Sequence, residues 1–367
     1  MKNKKLWVII AIVALIVIAI FAFSGRRETA DDRPVVKIGV IAPLSGSNAV
    51  MGQNCKRGIE LAISKLSDSP FNYKLISEDD QFIAARSTAA ANKLIHSDKA
   101  SFIITCSATG GAAVAQVTAA NKTILIATIS SATETATQSK YNFLHWPTPE
   151  AEGQKMVELL KSQGVKKAVI FAENHPGSSA IGDGLAARLS KNNIKFARFD
   201  FMGTERNFKG IVEKAARENA DVFVILALNP AIELLIKALH EKNITTPYTS
   251  IEFASFANDP SLFNDVKFVD IYDGDEEVLA EFRKKHDTNN VYGAAFAYDS
   301  MMIIDNMLRS FYNDNERLPD SDESAAAILK LKHSGAVGEV EITKDGFIIS
   351  KPVIKTMRNG VPVMVAE

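Results

Sequence analysis

Short apolar segments alternate with segments of helical periodicity along most of this 367-residue chain, and this alternation restricts its fold more than any other feature. The first strand, Val35–Ala42, is a near-continuous apolar run, as expected of a parallel strand that is buried on both faces. The helix predicted after it places Ile59, Ile63 and Leu66 on one side. Strands and helices that alternate in this way predict a doubly wound α/β sheet.

The same alternation restarts after a segment that contains two prolines, Pro147 and Pro149. We therefore predict two Rossmann-like lobes, which fits the chain length because a domain typically takes about 150 residues. The tail of the chain, residues 338–363, is predicted to form short strands with turns at Asp345-Gly346 and Asn359-Gly360.

The first 33 residues are predicted to lie outside the globular fold. Three lysines precede an unbroken apolar run, residues 6–23, which is long enough to span a bilayer as a helix. The sequence Ala22-Phe23-Ser24 also fits the small-x-small cleavage site of a signal peptide. We favour an uncleaved membrane anchor, with a cleaved signal peptide as the alternative. Either way the lysines keep the N-terminus inside, and the rest of the chain is exported.

Composition and motifs argue against several classes of function. Lys and Arg number 42 against 43 Asp and Glu, so there is no basic field to attract a nucleic acid. The six histidines are scattered without metal-ligand spacing, and we expect neither a metal site nor another cofactor. Because the nucleophile elbow, the P-loop and the dinucleotide fingerprint are all missing from the sequence, we do not expect an enzyme.

The two cysteines leave two interpretations open. Cys55 lies near the start of a predicted helix and Cys106 at the end of a predicted strand. A disulfide bond between them would suit an exported protein. We favour the alternative, in which both thiols are buried and pack as small hydrophobic groups.

Polar loop residues follow four of the predicted strands, at the sheet edge where open α/β sheets bind ligands. The four loops are residues 43–47, 105–111, 128–133 and 250–254. A helix begins near Ser107, and its free N–H groups would favour a carboxylate. Glu252 would pair with an ammonium group. The alternatives are ordinary structural roles, which are helix capping for Ser107 and Thr133 and a solvated loop charge for Glu252.

Five stretches of sequence together resemble the type I periplasmic solute-binding proteins of ABC transporters, in the leucine/isoleucine/valine-binding branch. In chain order they are VKIGVIAPLSG, TCSATGG, ISSATETATQ, YTSIEFASFAND and AFAYDSMMII, within a resemblance that extends over about residues 35–360. The resemblance implies two lobes that close on a small ligand around a three-segment hinge. The first lobe would comprise residues 35–147 and 274–343, and the second residues 148–273 and 344–367.

The resemblance also implies a site for an amino acid or a similar small polar solute. Ser107 and neighbouring backbone N–H groups would meet the ligand carboxylate, and Glu252 would pair with its ammonium group. The carbonyl of Ser131 or Ala132 and the side chain of Thr133 would hold the ammonium or the carboxylate. The full predicted set is Ser107, Ala108, Ser131, Ala132, Thr133, Glu252, Tyr292 and Met51.

The sequence departs from the family pattern in the part that would contact the ligand's side chain. Val50 and Met51 stand where the branched-chain binders carry an aromatic residue, and Leu228-Asn229 replaces an aromatic pair. Tyr292 remains as the expected aromatic residue of the cleft. The resemblance therefore predicts the class of ligand but not a particular member of it.

Two functions of different kinds agree with these features. The first is capture of a small solute by lobe closure and its delivery to an ABC permease, with no bond made or broken. The alternative is a membrane-tethered sensor or regulator of the same fold, which would pass closure on to another partner. An enzyme on this scaffold would rest on the generality of the fold alone.

Overall fold

The computed structural model describes residues 33–365. The predicted anchor or signal peptide, residues 6–23, lies outside the described residues. Between residues 33 and 365, no helix combines the length and the apolar character that crossing a bilayer requires.

The strands and helices alternate along the chain as the apolar pattern predicts. In chain order the strands are β1 (Val35–Ala42), β2 (Asn72–Asp79), β3 (Phe102–Thr105), β4 (Ile124–Thr128), β5 (Asn142–His145), β6 (Lys167–Glu173), β7 (Lys195–Phe201), β8 (Val222–Leu226), β9 (Tyr248–Ser250), β10 (Lys267–Ile271), β11 (His333–Gly335), β12 (Gly338–Ile342), β13 (Phe347–Ile349), β14 (Pro352–Arg358) and β15 (Val361–Met364). The α-helices are α1 (Ala49–Lys65), α2 (Ala84–Asn92), α3 (Ala108–Ala120), α4 (Glu134–Thr137), α5 (Pro149–Ser162), α6 (Pro176–Lys191), α7 (Lys209–Ala216), α8 (Ala231–Glu241), α9 (Glu276–His286), α10 (Ala294–Asn315) and α11 (Ser321–Ile328). A π-helical turn (Lys93–Ser97) and two 3₁₀ turns (Phe253–Phe256 and Pro260–Phe263) complete the helical structure.

The larger sheet has the strand order β11-β12-β13-β5-β4-β3-β1-β2. Its central strands are parallel, with Ile38 opposite Phe102 and Ile103 opposite Leu125. Every residue of β3, β4 and β5 is buried. Such strands need helices on both faces, which is the arrangement that their continuous apolar runs predict.

The smaller sheet has the order β7-β6-β8-β9, and its strands are also parallel. A separate antiparallel sheet has the order β10-β14-β15. A single β-bridge between Ile251 and Val269 links β10 to the end of the smaller sheet. Each of the two parallel sheets is the centre of one lobe, so the predicted pair of Rossmann-like lobes is confirmed.

The chain passes between the two lobes at three places. The first passage joins β5 to α5 and the second joins β10 to α9, close to the predicted boundaries at 147/148 and 273/274. The third lies after β13, because Phe347 and Ile348 pair with β5 of the larger sheet. We therefore propose that the first lobe extends to Ile349 in place of residue 343.

The turns predicted in the tail are present. Antiparallel pairing of β12 with β13 and of β14 with β15 closes two hairpins. Gly346 has φ 84°, and Asn359 and Gly360 have φ 50° and 75°. These left-handed conformations are the reason that Gly and Asn occupy the turns.

Cys55 and Cys106 form a disulfide bond, so the favoured expectation of two free thiols is wrong. The bond joins α1 to the residue after β3, and the two Cα atoms are 6.0 Å apart. The helix and the strand end meet at the same edge of the larger sheet, which brings the cysteines within bonding distance.

Breaking this disulfide should lower the free energy of unfolding by about 2–4 kcal/mol, because the unfolded chain regains the freedom of a long loop. The two cysteines are 51 residues apart in the sequence. Urea unfolding of the wild type with and without reductant measures the effect. The double variant Cys55→Ala/Cys106→Ala is the control, since a reductant should not affect it. Equal stability of the wild type in both conditions would contradict the bond.

Candidate functional site

A small cavity of about 30 Å³ lies where loops from both lobes meet, and most of the predicted site residues line it. Its volume accommodates one or two water molecules and is smaller than an amino acid. Five of the eight predicted residues line it: Met51, Ala108, Ser131, Glu252 and Tyr292. The other lining residues are Phe82, Ile129, His175, Gly177, Ile181, Leu228 and Phe253.

Glu252 is the one acidic residue in the lining of this cavity. It follows β9 with a positive φ of 63°, and its N–H donates to the Val269 carbonyl at 2.8 Å. The side chain is buried and accepts hydrogen bonds from two donors. Trp146 donates its indole Nε1–H to Oε1, and the Tyr292 hydroxyl donates to Oε2 at 3.4 Å. Glu252 is therefore an internal carboxyl group and not a solvated loop charge.

Burial raises the pKa of Glu252 from an ordinary 4.5 to about 7. The negative charge of Asp270 acts in the same direction. Hydrogen bonding from Trp146 and Tyr292 to the carboxylate lowers the pKa and limits this rise. Glu252 thus changes its charge close to neutral pH.

Glu152, on α5, is a second buried acid beside Glu252, and it is not among the residues predicted from the sequence. Its side chain has no exposure to solvent. Burial, followed by the charge of Glu252, raises the pKa of Glu152 well above its usual range. Gly153, the next residue, allows α5 to approach Gly184 of α6 so closely that a Cβ at Gly153 would lie 2.9 Å from its backbone. This close helix packing excludes water from that face of α5.

A buried ion pair lies on the strands next to these acids. Lys355 of β14 is fully buried, and its Nζ is 3.0 Å from Oδ2 of Asp270 and 2.7 Å from Oδ1 of Asp273. Burial alone would lower the pKa of Lys355, but the two carboxylates outweigh it and hold the pKa above its usual value. Asp270 also accepts a hydrogen bond from the hydroxyl of Ser255.

Two helices begin at the cavity, one from each lobe. Ser107 is the N-cap of α3 and its Oγ accepts from the Gly110 N–H at 3.0 Å, as the capping alternative predicted. Ala108, the first residue of that helix, lines the cavity. His175 caps α6, and its Nδ1 accepts from the Gly177 N–H at 3.2 Å. Burial lowers the pKa of His175 to about 4, so this imidazole is neutral at physiological pH.

Residues of the loop after β4 line two different cavities. Ser131 is buried and faces Glu252 across the small cavity. Ala132 is buried, and its carbonyl accepts from the Thr135 N–H at 3.0 Å. Thr133 lies at the N-cap position of α4 but makes no side-chain capping bond, and it lines a different cavity beside Asn174 and Pro176. Ser107, Ala132 and Thr133 therefore do not line the cavity that contains Glu252.

Met51 and Tyr292 separate the small cavity from a larger one of about 660 Å³. Tyr292 is nearly fully buried and packs edge-on to Trp146, with 5.8 Å between ring centroids. The larger cavity is lined by polar side chains that include Asn229, Asn258 and Asn290. Met51 and Tyr292 thus form a wall between the larger cavity and the small one that contains Glu252.

Residues 33–365 hold no cluster of three or more His, Cys, Asp or Glu that could bind a metal ion. The chemistry available at the cavity is that of hydrogen bonds, helix ends and a titrating carboxyl group.

Known proteins resemble this chain in sequence and in fold. A family model described as periplasmic binding protein matches residues 35–354. The amino acid binding protein of Pseudomonas aeruginosa is 23% identical over 59% of this chain, and the match spans only 60% of that protein. The Leu/Ile/Val-binding protein homolog 3 of Brucella melitensis is 22% identical and covers 86% of this chain and 89% of its own length.

Two solved structures share the fold. The leucine binding protein LivK of Thermotoga maritima superposes with a TM-score of 0.83 at 19% identity, over 90% of this chain and 98% of its own. An ABC transporter solute binding protein from R. palustris, in complex with benzoate, has a TM-score of 0.79 at 16% identity, over 90% and 96% of the two chains.

We expect Glu252→Gln to stabilise the ligand-free protein at pH 8 more than at pH 5. In the unfolded chain the carboxyl group ionises near its ordinary pKa, whereas in the folded protein it holds its proton up to about pH 7. Raising the pH from about 4.5 to 7 therefore lowers the free energy of unfolding of the wild type by roughly 1–3 kcal/mol. The glutamine variant has no carboxyl group at this position and does not lose this stability.

Urea unfolding of both proteins at the two pH values measures this difference. The exposed Glu134→Gln variant is the control and should differ from the wild type equally at both. A difference between wild type and Glu252→Gln that does not depend on pH would contradict a raised pKa at Glu252.

Proposed function

The chain belongs to the family of periplasmic binding proteins, and on that basis we propose that it captures an amino acid or a similar small polar solute and delivers it to an ABC permease. It is a solute-binding protein of the ABC transporter type, which acts outside the cytoplasm and is not an enzyme. The proposal concerns the ligand and the delivery.

The buried carboxyl group of Glu252 is the observation that carries the choice of ligand. It lines the cavity, whereas no lysine or arginine is among the lining residues in the part of the chain that the structure describes. His175, the one basic side chain there, is neutral at physiological pH because burial lowers its pKa to about 4. A ligand that brings its own ammonium group supplies the charge that this site lacks.

The opposite charge of a zwitterion finds partners at the two helix starts. Ala108 at the N-terminus of α3 and Gly177 at that of α6 both line the cavity. The N–H of Gly177 already donates to His175, so the attraction at α6 is that of the positive end of the helix dipole, which favours a carboxylate. At α3 the first-turn N–H groups, which have no partners within their own helix, add to that attraction. The remaining lining side chains are mostly apolar, which suits an uncharged ligand side chain.

Capture requires the cavity to open, because about 30 Å³ is less than any amino acid occupies. Separation of the lobes would join this space to the larger cavity behind Met51 and Tyr292. Contacts from both lobes to one ligand then favour the closed form, since each lobe contributes a charge-bearing element.

An aromatic acid is the competing ligand, as the R. palustris protein was solved in complex with benzoate. Such a ligand has a carboxylate but no ammonium group to compensate Glu252. An amino acid and an aromatic acid should therefore respond oppositely to loss of the Glu252 charge.

Calorimetry with leucine and benzoate on the wild type and Glu252→Gln tests the ligand class. We expect leucine to bind the wild type and to lose at least about tenfold in affinity in the variant, because glutamine keeps the shape and loses the charge. Glu134→Gln is the control and should bind as the wild type does. Binding of benzoate alone, unchanged or improved in Glu252→Gln, would contradict an amino acid ligand.

Loss of leucine uptake by cells that carry Glu252→Gln tests delivery.

Two substitutions at Ser107 separate its capping role from a role in ligand binding. Ser107→Ala should lower the free energy of unfolding by about 1 kcal/mol, because the Gly110 N–H loses its acceptor. Ser107→Asp keeps a capping oxygen but adds a negative charge beside the proposed carboxylate position. We expect leucine to bind Ser107→Asp more weakly than Ser107→Ala in calorimetry. Equal affinities would place the ligand carboxylate elsewhere.

A further inference from the structure

Glu152 is a fully buried acid that the proposed binding site does not use. Neither of its carboxyl oxygens accepts a hydrogen bond from an N–H or O–H group of the described residues. It does not line the cavity, but it interacts with Glu252, which does. A buried carboxylate without a partner is costly, and this cost favours the protonated form of Glu152.

The elements packed around Glu152 and Glu252 supply several charged or titratable groups. They are Glu150 on α5, Asp270 on β10, Asp273 after β10, Lys355 on β14, Tyr292 before α10 and His175 before α6. Burial raises the pKa of Tyr292 well above its usual range and lowers that of His175 to about 4, so both are neutral near pH 7. Glu150 is exposed to solvent.

Among residues 33–365, the one buried cation near these acids is already paired. Lys355 contacts Asp270 at 3.0 Å and Asp273 at 2.7 Å. Its charge is therefore matched by two carboxylates, and none is left for the two glutamates. Two neighbouring carboxyl groups in such a place cannot both be ionised without a large free-energy cost.

The two glutamates differ in the hydrogen bonds they receive. Glu252 accepts from Trp146 and Tyr292, and both bonds favour its ionised form. Glu152 receives no comparable bond from the described residues. When one proton is removed from the pair, the negative charge therefore belongs on Glu252 and the remaining proton on Glu152.

We propose that Glu152 keeps its proton and donates its O–H to the ionised carboxylate of Glu252, so that the pair offers one negative charge to one ligand ammonium group. Glu152 is thus a positioning residue that acts through Glu252. The inference depends on the proposed function only in assigning an ammonium group to Glu252.

This arrangement has a consequence for the pH range of capture. Below neutral pH both glutamates are protonated, and an entering ammonium group must displace the proton of Glu252, which leaves to solvent. Above neutral pH the single charge is already present, so the cation enters without proton release. Affinity should therefore rise through neutral pH and then level off.

Trp146 provides a direct probe, because its indole N–H donates to Glu252. The sequence has two tryptophans, Trp7 and Trp146, so Trp7→Phe in the full chain leaves Trp146 as the sole tryptophan. Its fluorescence in the ligand-free protein should titrate with a midpoint near pH 7, as the pKa of Glu252 is about 7. Glu252→Gln should abolish this transition.

Three variants at α5 decide the role of Glu152. Glu152→Gln should leave the midpoint unchanged, because the amide still donates a hydrogen bond and carries no charge. Glu152→Met should raise the midpoint by roughly one pH unit, because the donor is lost. Glu150→Gln, an exposed acid on the same helix, is the matched control and should change nothing. A lower midpoint in Glu152→Gln would mean that Glu152 is ionised and would overturn the proposal, as would an unchanged midpoint in both Glu152 variants.

Infrared difference spectra give an independent measurement that needs only the glutamine variant. The wild-type spectrum minus that of Glu152→Gln at pH 8 should show the carbonyl stretch of a protonated carboxyl group. A carboxylate band in its place would overturn the proposal. All these measurements use ligand-free protein, so a failure of every amino acid to bind would reject the proposed ligand class and leave this result standing.

Discussion

The interior of this protein has to accommodate four ionisable side chains at the point where its two lobes join. Lys355, Asp270, Glu152 and Glu252 are all buried there, and each loses the solvation that water would provide. The lysine compensates Asp270 and shares its charge with Asp273. The two glutamates have no such partner. In apolar surroundings a negative charge on them is costly unless a proton neutralises it or a cationic ligand compensates it.

The passages between the lobes are what bring these groups together. Trp146 lies on the first passage, Asp270 and Asp273 lie at the start of the second, and Lys355 follows the third. Parts of the chain that are more than 200 residues apart thus meet near Glu252, whose hydrogen bonds with Trp146 and Tyr292 lie close to the ion pair of Lys355 with Asp270. The lobe closure that we propose would act on these passages first, so the proposed hinge and the proposed binding site share the same residues.

The fold was largely predictable because its signals are local. A run such as Val35–Ala42 has to be buried on both faces, and turns at residues 346 and 360 need a left-handed conformation that glycine supplies. The disulfide was not predictable in this way. Bonding of Cys55 to Cys106 depends on a Cα separation of 6.0 Å, which only the packing of α1 against the sheet edge determines.

The candidate site was predictable where a residue type and a strand end coincide. Glu252, Ser131 and Ala108 follow three different strands, and they line one cavity. Glu152 could not be predicted as a site residue, because acidic residues are common in the first turn of a helix. Its burial depends on the contact of Gly153 with Gly184 of another helix, which the sequence does not reveal. Lys355 likewise lies on a short strand of mixed polarity, where nothing in the sequence marks it as internal.

The disulfide has a bearing on recognition as well as on stability. Met51 lies one helical turn before Cys55, and Ala108 lies two residues after Cys106, so the bond joins two segments that line the small cavity. That half of the cavity wall is ordered before any solute arrives, and less conformational entropy is lost when one binds. Under the proposed function, reducing this bond would weaken solute binding without changing any group that contacts the solute.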